Sequence, residues 1–159
     1  MSSRRGRAWL RMAAVGVAVV ACDQAAKLAV TETMSPGERT DLILGFDLAR
    51  VENSGIAFGL LQDSSDLLVL AITAAALVLV LGWFALDSAR PGLWLGVGLL
   101  AGGAIGNLID RLRLDAVTDF IDPPLWPAFN VADVPITFGV VAIALAALFE
   151  PREPQASPS

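Results

Sequence analysis

The stretch LLVLAITAAALVLVLGWFAL, residues 67–86, carries no charged side chain over 20 positions. At a rise of roughly 1.5 Å per residue, a helix of that length reaches about 30 Å, the thickness of a bilayer's hydrocarbon core. Three further apolar runs flank it. Residues 92–109 (GLWLGVGLLAGGAIGNLI) and 134–149 follow, and residues 12–30 precede, interrupted by Asp23 and Lys27. The whole chain of 159 residues is 55% hydrophobic, with a mean hydropathy of +0.65, too apolar for an ordinary soluble domain. The pattern predicts an all-α membrane protein. It has one domain over residues 1–150, with four transmembrane helices at about 10–30, 67–86, 92–110 and 131–149. The polar, Pro-rich tail 151–159 reads as disordered and cytoplasmic.

Arg4, Arg5, Arg7 and Arg11 precede the first run, which predicts a cytoplasmic N-terminus. Four crossings return the C-terminus to the same side. The outer loops are then about 31–66 and 110–129, and the inner loop is the short DSARP. In outer loop 1, LILGFDLARVENSGIAF mixes β-branched, aromatic and polar residues with Gly45 and Gly55. It predicts a small extracytoplasmic β-cradle over about 42–60. Asp63 to Asp66 would cap helix 2. Gly98, Gly102 and Gly106 recur at four-residue spacing in helix 3, a stripe that lets another helix approach closely.

Several absences narrow the chemistry. The chain has no His, so Ser-His-Asp and Cys-His catalysis and His-ligated zinc are excluded. Cys22 is its one cysteine, so there is no internal disulfide. Lys27 is its one lysine, and Asp23 stands four residues before it, the favourable order for an ion pair on a helix. A Ser-Lys protease needs that lysine free. A net charge of -5 argues against a nucleic-acid partner. Carboxylates, amides, hydroxyls and arginine remain.

Polar groups in membrane segments mark function by default. Asp23 and Lys27 lie toward the outer end of helix 1. Asn107, Asp110 and Arg111 end helix 3 on one face, and Asn130, Asp133 and Thr137 begin helix 4 with the same spacing. The predicted topology brings all of these to one outer surface. Asp133 at a helix start also reads as a cap, and Asp119, in a loop among Val117, Phe120 and Ile121, as a turn former. Two carboxylates brought together share a proton, and that is the chemistry of an aspartic protease. Two other readings stay open. A proton- or cation-coupled transporter would use Asp23, Asp110 and Asp133. A lipoprotein signal sequence would end at Cys22, with no catalysis.

Five ordered segments carry a resemblance: DQAAK (23–27), NSGIAFG (53–59), GGAIGNLIDR (102–111), VTDFID (117–122) and FNVADVPITFG (129–139). Together they resemble the lipoprotein signal peptidases, signal peptidase II, which are integral-membrane aspartic endopeptidases of bacteria. The resemblance implies removal of the signal peptide from prolipoproteins, just before a Cys that carries diacylglycerol. It implies Asp119 and Asp133 as the catalytic dyad. Asp23, Lys27, Asn53, Gly59, Asn107, Asp110, Arg111 and Asn130 would line or support the site. It implies no metal and no cofactor, a diacylated prolipoprotein and membrane lipid as partners, and the bacterial inner membrane as location, with the active site at its outer face; a monomer is the simplest expectation. Between DFID and WPAFN the chain has only Pro123, Pro124 and Leu125, where many relatives carry a longer segment.

Overall fold

The computed structural model of the chain describes residues 2–54 and 66–148. Four helices carry most of it: α1 (Ser2–Thr33), α2 (Asp66–Asp87), α3 (Leu93–Leu114) and α4 (Asp133–Leu148). Three strands complete it: β1 (Arg39–Asp41), β2 (Asp47–Asn53) and β3 (Val117–Asp122). Among the described residues, α1, α2 and α3 are each long and apolar enough to cross a membrane, while α4 shows 16 residues. α1 starts eight positions before the expected residue 10 and runs on to Thr33, because no Pro or Gly-rich turn stops it at either point.

α3 is the central helix. It packs against α1, α4 and α2, and 56% of its most apolar window is buried, against 17% in α1 and α2. Its glycines explain the closeness. A Cβ at Gly98 would sit 2.8 Å from Met12 O, and one at Gly102 2.8 Å from Gly16 O, on the side facing α1. On the side facing α4, a Cβ at Gly139 would sit 2.7 Å from Leu100 N. Lipid tails are as apolar as leucine, so helices in a bilayer gain little by hiding apolar surface from each other. Close backbone approach and polar bonds hold such a bundle instead, and α3 supplies both.

The two ends of the bundle differ. At one end Ala8, Met12, Phe84, Leu93 and Val97 form an apolar cluster, with the Trp9 ring edge-on to Phe84 at 4.9 Å between centroids. At the other, Val30, Met34 and Phe120 pack beneath the sheet.

The sheet is antiparallel in the order β1-β2-β3. Here the structure corrects the sequence reading. Among the described residues, the first connection, expected to build the cradle alone over 42–60, contributes β1 and β2. Residues 42–46 are the turn between them, and residues 55–60 lie outside the described ones. The third strand comes from the second connection and contains Asp119, expected in a loop. Val51 pairs with Asp119 and Asn53 with Val117 across β2 and β3. VTDFID lacks the clean polar–apolar alternation of a half-buried strand, because Val117, Thr118, Asp119 and Phe120 are all buried between the sheet and the helix ends. Arg39 of β1 forms an ion pair with Asp122 of β3, across the width of the sheet.

Candidate active site

The site grows from Lys27. Its ammonium is buried and has three hydrogens to place. They meet Asp110 Oδ2 at 2.7 Å, Asn107 Oδ1 at 2.8 Å and Asp23 Oδ2 at 2.9 Å. The Asp23–Lys27 spacing of four residues on α1 works as the sequence predicted, and α3 adds a second carboxylate from Asp110. Asp23 is fully buried and Asp110 nearly so. Its other oxygen, Asp23 Oδ1, accepts the Ala132 N–H at 3.0 Å and so pins the start of α4 to α1. Asp110 Oδ2 accepts the Thr118 N–H at 3.3 Å, which ties β3 to the end of α3. One buried ion cluster therefore fastens α1, α3, β3 and the entry to α4.

Asn107 transmits this order to Asp133. Its Oδ1 is held by Lys27, which points its Nδ2 at Asp133 Oδ1, 3.0 Å away. Asp133 Oδ2 accepts the Asn130 N–H at 3.0 Å, while Asn130 Oδ1 accepts the Ala132 N–H at 2.8 Å. Together the two side chains cap the turn that enters α4, Asn130 on the Ala132 N–H and Asp133 on the Asn130 N–H. Asp133 thus helps to cap the helix with one oxygen, and the other accepts from Asn107. It is half-buried, unlike Asn130, which has no exposure.

Asn130 also reaches the other carboxylate. Its Nδ2 donates to Asp119 Oδ1 at 2.7 Å and to Asn107 Oδ1 at 3.1 Å. Asn53, the last residue of β2, donates to Asp119 Oδ2 at 2.9 Å. Asp119 is 3% exposed. Burial pushes its carboxyl up from 3.8 to about 6; the Asn53 hydrogen bond opposes the rise, the Asp133 charge adds to it, and Asn130 and Lys27 oppose it. Asp119 and Asp133 are near enough to repel and share Asn130 as a common donor. A pair of this kind holds one proton readily and two charges poorly, so it offers an acid beside a base.

The structure gathers Asp23, Lys27, Asn53, Asn107, Asp110, Asp119, Asn130 and Asp133 into this one network. Arg111 is half-buried at the end of α3, where its carbonyl accepts the Asp115 N–H that closes the helix at 3.1 Å. Gly59 lies outside the described residues, as do residues 63–65 of the expected helix 2 cap and the tail 151–159. Thr137 does not join the network. It is exposed, and its hydroxyl bonds back to Asp133 O at 2.9 Å. Cys22 is exposed on α1, which continues for 11 residues beyond it.

Two members escaped the sequence reading. Gln24 bridges the acids, donating to Asp110 Oδ1 at 2.9 Å and Asp23 Oδ2 at 3.2 Å. The signal was available, since a primary amide inside an apolar helix needs partners as much as a charge does. Gly106 had been read only as packing. A Cβ there would lie 2.5 Å from Asp23 Oδ2, so the glycine makes room for the acid.

Comparison with known proteins agrees with this geometry. The family model for signal peptidase (SPase) II matches residues 15–149. The lipoprotein signal peptidase of Moorella thermoacetica is 40% identical over 79% of this chain and 84% of its own length. That of Nitratidesulfovibrio vulgaris is 38% identical over 98% and 97%. Two solved structures of bacterial membrane enzymes superpose with TM-scores of 0.78 and 0.76, at 32% and 31% identity, covering 90% and 92% of this chain and 88% and 95% of theirs. The chain belongs to the signal peptidase II family of membrane aspartic peptidases.

Proposed function

We propose that this protein removes the signal peptide from diacylglyceryl-modified prolipoproteins, cutting just before the lipidated Cys. Asp119 and Asp133 activate the water. The observation that carries the reading is the sharing of Asn130, which donates to Asp119 from its side chain and to Asp133 from its backbone. Asp119, pushed up by burial, keeps the shared proton and donates it toward the scissile carbonyl oxygen. Asp133, whose two oxygens each accept one N–H at the start of α4, takes a proton from water. The resulting hydroxide attacks the carbonyl carbon, and the proton on Asp133 passes to the leaving amine. Asn53, Asn107 and Asn130 position the two acids. Asp23, Lys27 and Asp110 hold the helix ends that carry them, and Arg111 supports the loops around the cleft.

The proposed setting is the bacterial inner membrane. Four spans form one domain, both termini are cytoplasmic, and the dyad stands at the outer face of a monomer. The apolar tip of the β1–β2 hairpin supports this placement. Leu42, Ile43, Leu44 and Phe46 are all exposed there, which suits a surface resting in lipid and not in water. A substrate whose signal helix and acyl chains stay in the bilayer needs such a site. Extracting it would cost about 0.8 kcal/mol per CH₂. Cation transport needs Asp23 and Asp110 free to exchange partners, and both are committed to Lys27.

The test is to incubate the purified full chain in detergent with a prolipoprotein in two forms, diacylated and unmodified, and to map the products by mass spectrometry. The reading expects one cut, directly before the lipidated Cys, in the diacylated form only. Equal cleavage of the unmodified form, or a cut elsewhere, contradicts it.

A further inference from the structure

The end of the bundle away from the two acids holds a second site. There a cavity of about 290 Å³ opens between the start of α1 and the α2–α3 turn, lined by Arg4, Arg7, Arg11, Ser88, Arg90 and Trp94. Four guanidinium groups face one space. Arg90 is partly committed, to Asp87 Oδ2 at 2.6 Å and to Ala146 O at 2.9 Å. Arg11 lies over the Trp94 ring, 5.6 Å from its centre. Among the described residues, Arg4, Arg7 and Arg11 have no acidic partner. α3 begins beside the cavity with no acidic residue in its first turn and no side-chain cap, so its N-terminal partial charge adds to the positive field.

A second observation points to a ligand. Ser88, one of the lining residues, is 1% exposed, and its buried hydroxyl has no hydrogen-bond partner. A buried hydroxyl left unpaired is destabilising. An anion with several acceptor oxygens would satisfy the serine and the arginines together.

We propose that this cavity binds the phosphate headgroup of an anionic phospholipid, with the acyl chains lying along the apolar flank beside it. The surroundings favour lipid over a soluble phosphate. Trp9, Leu10, Leu86 and Leu95 are exposed large apolar side chains at the same end of the bundle. A tryptophan beside arginines at a helix end is also the composition of a membrane–water interface. In the orientation proposed above, this end of the bundle meets the cytoplasmic leaflet, an assignment that rests on that reading. The binding itself does not.

The experiment is native mass spectrometry of the full chain released from detergent, titrated with phosphatidylglycerol, with phosphatidylcholine, and with phosphatidylglycerol plus millimolar inorganic phosphate. Arg4→Gln/Arg7→Gln and Ser88→Ala are compared with Arg5→Gln, which loses one charge from the same helix but does not line the cavity. The expected result is saturable phosphatidylglycerol binding, much weaker for phosphatidylcholine and indifferent to phosphate. The double variant weakens it roughly 30-fold. Ser88→Ala weakens it several-fold, and Arg5→Gln leaves it unchanged. Equal binding of the two lipids overturns the proposal, as does an equal loss in Arg5→Gln, which would mean diffuse charge attraction. Displacement by inorganic phosphate would assign the cavity to a soluble anion. Ser88→Ala keeps every charge and removes one oxygen, so it reads the cavity even if the double variant fails to insert. If Ser88→Ala raises the melting temperature and leaves lipid binding intact, the serine is only structural and the proposal fails. None of these outcomes depends on cleavage, so failure here is separable from failure of the peptidase reading.

Discussion

Asn130 Nδ2 stands 2.7 Å from Asp119 Oδ1, while the Asn130 N–H stands 3.0 Å from Asp133 Oδ2. One residue thus orients both acids and also caps the helix that carries the second. The two jobs separate by substitution. Asn130→Ala loses the cap and the hold on Asp119, and is expected to cost about 1 kcal/mol of stability and about 100-fold in kcat. Asn130→Ser keeps a capping oxygen and brings in no charge, but removes the amide donor to Asp119. It should restore much of the stability and little of the activity. Thermal melts alongside cleavage rates in detergent check this, and parallel recovery of both would mean that the cap is all that Asn130 provides.

Lys27 is buried between two buried carboxylates, so its removal leaves charge uncompensated. Lys27→Met is expected to destabilise the protein by about 3–5 kcal/mol. Adding Asp110→Asn to it removes one of the two orphaned charges and should recover part of that loss. The measurement is unfolding in mild detergent for both variants. A single variant as stable as the parent would show that the cluster is not a fastening.

Two glycines give opposite forecasts. A Cβ at Gly106 meets Asp23 Oδ2 at 2.5 Å, whereas one at Gly82 in α2 meets nothing within 4 Å. Gly106→Ala must displace the acid or the helix, which is expected to cost about 1–3 kcal/mol and most of the activity. Gly82→Ala adds a better helix former in open space, worth up to about 1 kcal/mol of stability, with normal cleavage. Melting temperatures and turnover of the two variants side by side test the contrast.

The pH dependence follows from Asp119. Its proton is held up to about 6, above the ordinary 3.8, and the proposed mechanism needs that proton in place. kcat/KM should therefore fall as pH rises through the region near 6, with an apparent value that belongs to the pair of acids. Asn53 stabilises the charged form of Asp119, so Asn53→Leu raises the value further and moves the alkaline limb to higher pH. A limb that shifts to lower pH in Asn53→Leu would assign the proton elsewhere.

Much of this fold was legible in the sequence because apolar runs report helices directly. The run at 67–86 lies one residue inside each end of α2, the run at 92–109 starts one residue before α3, and the turn between the helices begins at the Ser of DSARP. The site was legible in part. Asp23 and Lys27 at four-residue spacing, and Asn107 and Asp110 at three, announced a polar cluster through helical geometry alone. β3 was not legible, because a strand buried on both faces lacks alternation, and strand partners 64 residues apart, such as Asn53 and Val117, leave no local trace. Asp119 came to attention through resemblance and not through spacing. Gln24 was missed for another reason. It carries no charge, yet an amide in an apolar helix had to find partners, and it found both acids.

The central claim is that Asp119 and Asp133 together carry the hydrolysis. The most direct measurement is cleavage of a diacylated prolipoprotein by the parent protein and by Asp119→Asn and Asp133→Asn, each shown by circular dichroism to be folded in the same detergent. Asn keeps the shape and hydrogen-bonding reach of each side chain and removes its ability to exchange a proton. Both variants are expected to bind substrate and release no signal peptide. Parent-level cleavage by either one would contradict the account.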